Sequence, residues 1–227
     1  MSTRRARLAD VLGLAAQLGM VLYHLRPALM LLPTIAAGGD TPSHYPTAVE
    51  FREHLLPQLR FHGWYPGAYL GHPLMLYYFP LPFVLMAALQ PLLGMPVAFK
   101  LGTAAGVLLL PPLVYAAFRS MGFAFPGPLV AAGAATVFLF LEENPIWGGT
   151  LASMLTGEFA YSYGIALGVL FLGLCYRAHA RGDGPWWPAA TLALTALAHS
   201  TAYPWASAVK ASAAAGHHGP SPRACAR

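Results

Sequence analysis

The chain has 227 residues, of which 57% are hydrophobic and 9% are charged. Soluble domains carry about 25% charged residues, so this chain lacks the polar surface that a soluble fold of its length needs. The net charge of +5 comes from 13 basic and 8 acidic residues, without the basic, aromatic-interleaved run that marks a nucleic-acid surface. Apolar runs of about 18 to 22 residues match a hydrocarbon core of about 30 Å. We therefore predict an all-α, polytopic transmembrane helical bundle with no nucleic-acid partner.

The first predicted element is a transmembrane helix from Val11 to about Ala37. Three arginines between residues 4 and 7 precede it, so the positive-inside rule places the N-terminus in the cytoplasm. The alternative is a cleaved signal peptide, with the small residues near Ala37 as its cleavage site. Arg26 lies deep in this helix, and we expect either that its side chain snorkels or that the helix breaks at Pro27.

The stretch Gly38–Pro73, here called the outer segment, is the largest polar part of the chain and is predicted to lie outside the cytoplasm. Thr41 and Pro42 resemble the N-cap and first residue of a helix. Apolar residues then recur at helical spacing, which predicts an amphipathic juxtamembrane helix on the membrane surface. The following Phe61–Gly67 is predicted to form a tight aromatic turn at interface depth.

Five further apolar runs follow, at Leu74–Leu93, Val97–Phe118, Phe125–Leu141, Phe159–Tyr176 and Trp187–Trp205.

The arginines between these runs constrain how many of them cross. Arg177 and Arg181 are predicted to lie in a short cytoplasmic loop. Arg119 shares that side only if Leu74–Leu93 does not cross, and prolines break that run. We therefore predict five spans and one juxtamembrane or re-entrant element, with six spans as the alternative. Residues 1–206 form the transmembrane domain in this interpretation, and residues 207–227 form a disordered tail.

Asp40 is the first candidate site residue, because Gly38 and Gly39 allow an abrupt turn that presents its carboxylate just outside the bilayer. His44 follows one helical turn later. An acid and a histidine in this arrangement could share a proton or bind a metal-bridged phosphate. The alternative is that Asp40 only stabilises the positive N-terminal end of the surface helix.

A second polar cluster contains Glu142, Glu143 and Glu158, in a loop between apolar helices. The alternative interpretation is that these are ordinary solvated acids at loop ends. The topology puts this loop on the same outer side as Asp40, so the two clusters could face each other. Neither cluster has a defined zinc-binding spacing such as HExxH, so no protein metal site is predicted.

Three stretches carry a family resemblance: GGDTPSHY, FHGWYPGAYLGHPLMLYYFPLPF and GEFAYSYG. They resemble the bacterial membrane family labelled "6-pyruvoyl-tetrahydropterin synthase-related". The order of first helix, Gly-Gly-Asp, surface helix and Pro-broken apolar stretch resembles the N-terminal part of C-type (GT-C) membrane glycosyltransferases. The resemblance covers roughly residues 10–200. Members of such families are longer, so the chain is expected to be a truncated product or an N-terminal fragment.

The resemblance implies a multi-pass protein of the bacterial inner membrane that uses a lipid-phosphate-linked sugar, such as a polyprenyl-phosphate sugar, as donor. Asp40 would be the general base or would hold a divalent cation at the donor phosphate. Trp64 and Tyr65 would contact sugar or the interface. The polar lining would come from His44, Glu142, Glu143 and Glu158.

Two other functions stay open on the sequence. One is a non-catalytic polytopic scaffold or lipid-handling protein with membrane lipids as partners, in which these acids are structural. The other is a transporter, which the clustering of acids in outer loops rather than inside spans argues against.

Overall fold

The computed structural model describes residues 3–68, 70–76, 78–142 and 148–199. Glu143, the end of the predicted run Trp187–Trp205 and the predicted tail 207–227 lie outside the described residues. The α-helices are α1 (Thr3–Leu25), α2 (Pro27–Met30), α3 (Thr41–Glu50), α4 (Leu81–Leu93), α5 (Met95–Ser120), α6 (Gly127–Leu139), α7 (Leu151–Leu155), α8 (Phe159–Arg181) and α9 (Trp186–Ala198). The strands are β1 (Gly63–Tyr65) and β2 (His72–Leu74).

The first helix differs from the sequence prediction at both ends. It starts at Thr3, so the arginines belong to its first turns, and it ends at Leu25 rather than near Ala37. Arg26 adopts a left-handed conformation with φ of 51°, and Pro27 begins the short α2. The expected break at Pro27 is therefore confirmed, because proline removes a helix hydrogen bond and disfavours a helical preceding residue.

The outer segment is helical as predicted but begins one residue earlier. Asp40, not Thr41, is the N-cap of α3, with Thr41 and Pro42 as its first residues. A π-helical turn over Phe51–Leu55 and a 3₁₀ turn over Leu56–Gln58 continue the helix.

The predicted aromatic turn is instead a two-stranded antiparallel sheet, which was not predicted. Gly63 pairs with Leu74, and Tyr65 pairs with His72. The sequence interpretation missed it because β1 and β2 each have only three residues, too few for an alternating pattern to show.

Three helices are long and apolar enough to cross a membrane by length and composition: α5, α8 and residues Arg4–Leu25 of α1. The chain is thus a helical protein with the features of a multi-pass membrane protein. The apolar helices α4, α6 and α9 have 13 residues each, or about 20 Å at 1.5 Å per residue. The runs Leu74–Leu93 and Phe125–Leu141 therefore contain shorter helices than predicted; Leu74 itself lies in β2.

Small residues fix how the long helices pack. A methyl group at Gly106 of α5 would lie 2.9 Å from the Ser162 Cβ of α8, and one at Gly173 of α8 would lie 2.6 Å from the Ala117 Cα of α5. Residue numbers rise together along both helices, so α5 and α8 run parallel. Glycine at such contacts lets membrane helices approach closely.

The remaining long elements are placed by contacts with these two. Tyr115 of α5 lies close to Asp10 of α1, and Lys100 Nζ near the start of α5 donates to Leu32 O, beyond the end of α1. Helix α1 is therefore antiparallel to α5. Gly13 and His24 of α1 contact Leu129 and Phe140 respectively, so α6 runs parallel to α1.

The basic residues gather at one end of the bundle as a consequence. The arginines at the start of α1, Arg119 at the end of α5 and the last turn of α8 share this end. A methyl at Gly122 would lie 3.7 Å from Arg181 Nη2, which confirms that the ends of α5 and α8 meet. Arg177 and Arg181 belong to α8 itself, so the predicted short loop containing them is wrong. The Arg177 guanidinium pairs with Asp183 at 2.7 Å just beyond the helix.

The opposite end is built on a cluster of buried phenylalanines. Phe159, the first residue of α8, packs against Phe83 of α4 at a centroid distance of 5.8 Å and against Phe99 of α5 at 6.3 Å, both with steeply inclined rings. Such pairs contribute about 0.5–1.5 kcal/mol beyond the area they bury. Phe51 of the π-helical turn extends the cluster towards the outer segment. This aromatic floor supports the candidate site.

Candidate functional site

The candidate site is formed where two glycine-containing loops contact each other. The Asp40 amide donates to Thr156 O at 2.8 Å, and Thr41 Oγ1 donates to Leu155 O at 3.2 Å. One loop leads into α3 and the other into α8. The structure therefore brings together Gly38-Gly39-Asp40 and Thr156-Gly157-Glu158, which are far apart in sequence.

Glycines make this approach possible. A methyl at Gly157 would lie 3.0 Å from both Asp40 Cβ and Thr41 N. Gly157 has φ of +111° and Gly39 has φ of +49°, conformations that residues with a Cβ adopt only with strain. A Cβ at Gly39 would clash with Thr156 O. The close approach of the loops thus depends on both glycines.

Asp40 is the N-cap residue of α3, but its side chain does not cap the helix. Its side chain accepts no capping hydrogen bond from the helix, and the residue is exposed. Its main-chain carbonyl instead accepts from Ser43 Oγ at 2.7 Å. Among the described residues the carboxylate therefore has both oxygens available, in the positive field at the start of a helix.

Glu158 is the second carboxylate of the site. It is half-buried at the N-cap of α8, and its amide donates to Ser153 O at 2.9 Å. Burial, and secondly the negative charge of Asp40, raise the pKa of Glu158 above its usual range. Two nearby carboxylates in different environments are the arrangement in which one acts as base and the other holds a proton.

His44 and Tyr78 form the centre of the site. Tyr78 Oη lies 3.4 Å from His44 Nε2 and 3.5 Å from Gly157 O, and the two rings are 4.7 Å apart. Burial lowers the pKa of His44, and the charge of Asp40 partly opposes this. Burial, together with the charges of Glu158 and Asp40, raises the pKa of Tyr78. A neutral imidazole and a neutral phenol are thus favoured here.

Tyr78 was not among the residues proposed from sequence. It lies in the proline-interrupted apolar run, where a tyrosine is easily interpreted as an interface residue. The signal that could have identified it is its position beside a second tyrosine, immediately before the phenylalanine and prolines that start α4.

A cleft of about 520 Å³ opens beside His44 and Tyr78. Its volume is within the range of ligand pockets, about 300–1,000 Å³. It lies between α3 and the hairpin, and its polar lining is Ser43, His44, Thr47, Tyr65, His72 and Tyr78. Asp40 and Glu158 are not lining residues; the connection between the cleft and their loops is Tyr78, which lines the cleft and has its hydroxyl 3.5 Å from Gly157 O.

Trp64 and Tyr65, predicted to act alike, lie on different sides of β1. Tyr65 is half-buried and lines the cleft. Trp64 is 65% exposed and is not part of the lining. Successive strand residues point to opposite faces, which explains the separation.

Glu142 does not join the site. It is exposed and borders a separate cleft of about 230 Å³, together with His24, Phe140 and Leu155. The acids of the predicted polar loop therefore lie in two places: Glu142 borders the smaller cleft, and Glu158 belongs to the candidate site. Helix α7 lies between them along the chain. Glu143 lies outside the described residues.

Among the described residues no group of three or more histidine, cysteine, aspartate or glutamate side chains could hold a metal ion. Asp40 and Glu158 fit a looser role, since Mg²⁺ is commonly held by one or two carboxylates with the rest of its shell from substrate phosphate and water.

No protein-family model, curated protein or solved structure matches this chain.

Proposed function

We propose that the chain is a GT-C-like membrane glycosyltransferase, or the N-terminal part of one, which uses a lipid-phosphate-linked sugar as donor. The observation that carries the proposal is the meeting of the Asp40 and Glu158 loops beside a cleft. The sequence resemblance to the "6-pyruvoyl-tetrahydropterin synthase-related" membrane family supports the same function. We also propose that the protein lies in a bacterial inner membrane.

The distribution of charge supports an outward-facing site. Cytoplasmic ends of membrane helices are enriched in arginine and lysine, and the arginine-rich end of this bundle lies opposite Asp40. Phe99, in the aromatic floor, and Arg119 are separated by about 30 Å along α5, which equals the thickness of the hydrocarbon core. The N-terminus and the arginines then face the cytoplasm, and the site lies at the outer boundary of the bilayer.

Five crossing segments and one that does not cross are part of the proposal. Helices α1, α5 and α8 are long enough to cross, and in this proposal α6 and α9, with 13 residues each, cross together with the residues that flank them. Helix α4 stays near the site, because Met86 contacts Gly102 and Phe83 packs on Phe159. Five spans also put Arg119 on the same side as Arg177.

In the proposed reaction the acceptor hydroxyl attacks the anomeric carbon of the donor sugar. Asp40 accepts the hydroxyl proton as the new C–O bond forms. The bond between the anomeric carbon and the phosphate oxygen breaks, and the lipid phosphate leaves with the electron pair. Glu158, whose raised pKa favours its protonated form, could hold a proton near the leaving phosphate.

The other groups bind and orient. His44 and Tyr78 can hydrogen-bond sugar or phosphate oxygens in the cleft, and Tyr65 offers an aromatic face to a sugar ring. A divalent cation, if used, would be held by Asp40 and Glu158 and would neutralise phosphate charge. In that case Asp40 would bind the cation rather than accept the proton.

Replacement of the carboxylate tests the proposal. Vesicles containing the wild-type chain are supplied with a panel of polyprenyl-phosphate-linked hexoses, and sugar transfer is measured. Asp40→Asn should lower transfer about 10²–10⁴-fold, the usual contribution of a general base, without changing membrane insertion. Glu53→Gln, which removes an exposed carboxylate of the same outer segment, is the matched control and should retain activity. Full activity of Asp40→Asn would contradict the catalytic role of Asp40, and no transfer by the wild-type chain with any donor would contradict the proposal that this chain alone is a transferase.

A non-catalytic scaffold or lipid-handling protein is the second candidate. The observation that favours it is that the two loops are joined by hydrogen bonds from the Asp40 amide and the Thr41 hydroxyl, which involve neither carboxylate. If the chain has this non-catalytic function, both Asp40→Asn and Glu158→Gln should retain it in full.

A further inference from the structure

Large apolar side chains are exposed around the β-hairpin, outside the long helices. Five of them lie between residues 59 and 76, and together they are called the apolar rim: Leu59, Phe61, Trp64, Leu70 and Leu76. Leu59 is 89% exposed and Leu70 is fully exposed. Clustered exposed groups of this size mark an interaction surface rather than ordinary surface scatter.

Two of these leucines also carry backbone strain. Leu59 and Leu70 have φ of 55° and 62°, a left-handed conformation that glycine or asparagine adopts more easily than a bulky residue. Met75 shares this conformation, with φ of 58°, but its side chain is buried in the core. Leu59 and Leu70 have no such burial, and both side chains are exposed.

The charge of the segment fits an anionic lipid surface. Between Leu59 and Leu76 the sequence contains Arg60 and two histidines but no aspartate or glutamate. Arg60 and His62 are exposed within the rim. Tryptophan and basic side chains beside apolar ones are the usual composition of segments at the headgroup level.

Ring contacts set the depth of the rim. The Phe61 ring lies 6.3 Å from Phe51, which lies 6.4 Å from Phe83 in the aromatic floor. Tyr45 of α3 packs on Phe99 of the same floor at 5.4 Å. This floor is about 30 Å along α5 from Arg119, so it coincides with one boundary of the hydrocarbon core if Arg119 marks the other. The rim therefore lies beside the headgroup layer.

We propose that the apolar rim inserts into the leaflet at the site end of the bundle, as a monotopic anchor for anionic phospholipid. The inference does not depend on the glycosyltransferase proposal. Because Tyr65, His72 and Met75 of the same hairpin line the cleft, insertion would open the cleft at the depth of lipid headgroups. An amphiphile could then enter sideways from the membrane.

A fluorescent probe at the rim tests this directly. Cys175 and Cys225 are replaced by serine, Leu70→Cys is labelled with the environment-sensitive dye NBD, and the full chain is reconstituted in vesicles of phosphatidylethanolamine and phosphatidylglycerol. Glu53→Cys, at an exposed polar position of the π-helical turn, is the matched control. The Leu70 probe should show blue-shifted emission and be quenched by nitroxides on lipid chains. The Glu53 probe should be quenched by aqueous iodide instead.

Two results would overturn the inference. One is a Leu70 probe that behaves like the Glu53 probe, with red-shifted emission and quenching by iodide. The other is a blue shift that disappears when the protein is diluted with excess lipid, because that result identifies a second copy of the chain as the partner. A blue shift independent of dilution, with unchanged helical content by circular dichroism, supports lipid insertion.

Discussion

The amide of Asp40 donates a hydrogen bond of 2.8 Å to the carbonyl of Thr156. This bond joins the loop after the first helix to the loop before α8 through main-chain atoms alone. The position of the Asp40 carboxylate is therefore set by backbone geometry, and the side chain itself contributes no bond to the junction. Changes to the supporting glycines should disturb the site more than conservative changes of the acid.

Gly157→Ala is the first prediction. The backbone of the new alanine would have to keep φ near +111°, and its methyl would lie 3.0 Å from Asp40 Cβ and Thr41 N. We expect a loss of about 1–3 kcal/mol in the free energy of unfolding, from backbone strain and displacement of the Asp40 loop. The measurement is denaturant unfolding in detergent, combined with hydrogen exchange at the Asp40 amide.

Gly182→Ala provides the control for strain without contact. Gly182 has φ of +70°, and no atom lies within 4 Å of the added methyl. It should lose stability through strain alone and leave exchange at Asp40 unchanged. Equal effects of both variants on the Asp40 amide would show that the Gly157 contact does not hold the loop.

Lys100→Met is the second prediction. Lys100 is 5% exposed, and its Nζ donates to Leu29 O at 2.8 Å and to Leu32 O at 2.6 Å. Methionine fills similar space but cannot donate to these carbonyls, and the loss of hydrogen bonds from a charged donor should cost about 1.5–3 kcal/mol. The result is checked by unfolding in detergent and by the reactivity of Thr34→Cys, which should rise as the segment before Asp40 loosens.

The control is Arg119→Met, which removes an exposed cation from the other end of the same helix. Its side-chain hydrogen bond to Phe123 O, at 3.3 Å, is exposed. A much smaller loss of stability is expected. If Lys100→Met lost no more stability than Arg119→Met, Lys100 would not be stabilising the Leu29–Leu32 turn.

Tyr78→Phe is the third prediction. It keeps the ring between His44 and Phe83 but removes the hydroxyl near His44 Nε2 and Gly157 O. Because both contacts are long, stability should fall by only about 0.5 kcal/mol. If the cleft is a transferase site, kcat should fall about tenfold with little change in KM, since about 1.4 kcal/mol of lost orientation corresponds to a factor of ten.

Tyr45→Phe is the matched control, because this tyrosine lies in the same helix as His44 and packs its ring on Phe99. It should leave kcat unchanged. A loss of activity in Tyr45→Phe equal to that in Tyr78→Phe would indicate general loosening of α3 rather than a role for the Tyr78 hydroxyl.

Features of the fold that depend on local chemistry could be predicted from the sequence. The break after Leu25 follows from proline, and the helices follow from apolar runs. Their ends were misplaced where no residue interrupts the pattern: Arg177 and Arg181 extend α8 because both side chains can reach polar surroundings from a helix end. The pairing of Gly63 with Leu74 joins two short strands, and the sequence of neither strand alone indicates it.

The site shows the same division. The meeting of Asp40 and Glu158 was foreseeable, because the number of spans between them puts both loops on one side. The separation of Glu142 from Glu158 was not, because it depends on the path of the chain through α7. Tyr78 was missed for a similar reason, since only the folded chain shows that it faces His44.

The fourth prediction concerns pH. Burial holds the pKa of His44 below the ordinary value of 6.5. Between the lowered pKa of the folded state and 6.5, the unfolded chain binds more protons, so stability rises with pH in that window and is lost as pH falls through it. His44→Gln should remove this part of the acid loss, as measured by unfolding in detergent at a series of pH values.

Asp40→Asn should act in the opposite direction. The charge of Asp40 raises the pKa of His44, so removing it should lower that pKa further and steepen the loss of stability in acid. The half-buried His199, whose pKa is also lowered, is present in all three proteins and cancels in the comparison. Identical pH profiles for wild type and His44→Gln would show that His44 is not buried as described.

The last prediction concerns the seam between α5 and α8, which fixes the distance of Glu158 from α5. Gly173→Ala should place a methyl 2.6 Å from the Ala117 Cα, a backbone atom that cannot move alone. Separation of the helices should cost about 1–3 kcal/mol. Gly19→Ala on α1, where nothing lies within 4 Å of the methyl, should be neutral or stabilising because alanine favours helix. Unfolding in detergent measures both. Since small residues let helices pack closely in a membrane, a stabilised Gly173→Ala would mean that α5 and α8 do not meet at this glycine.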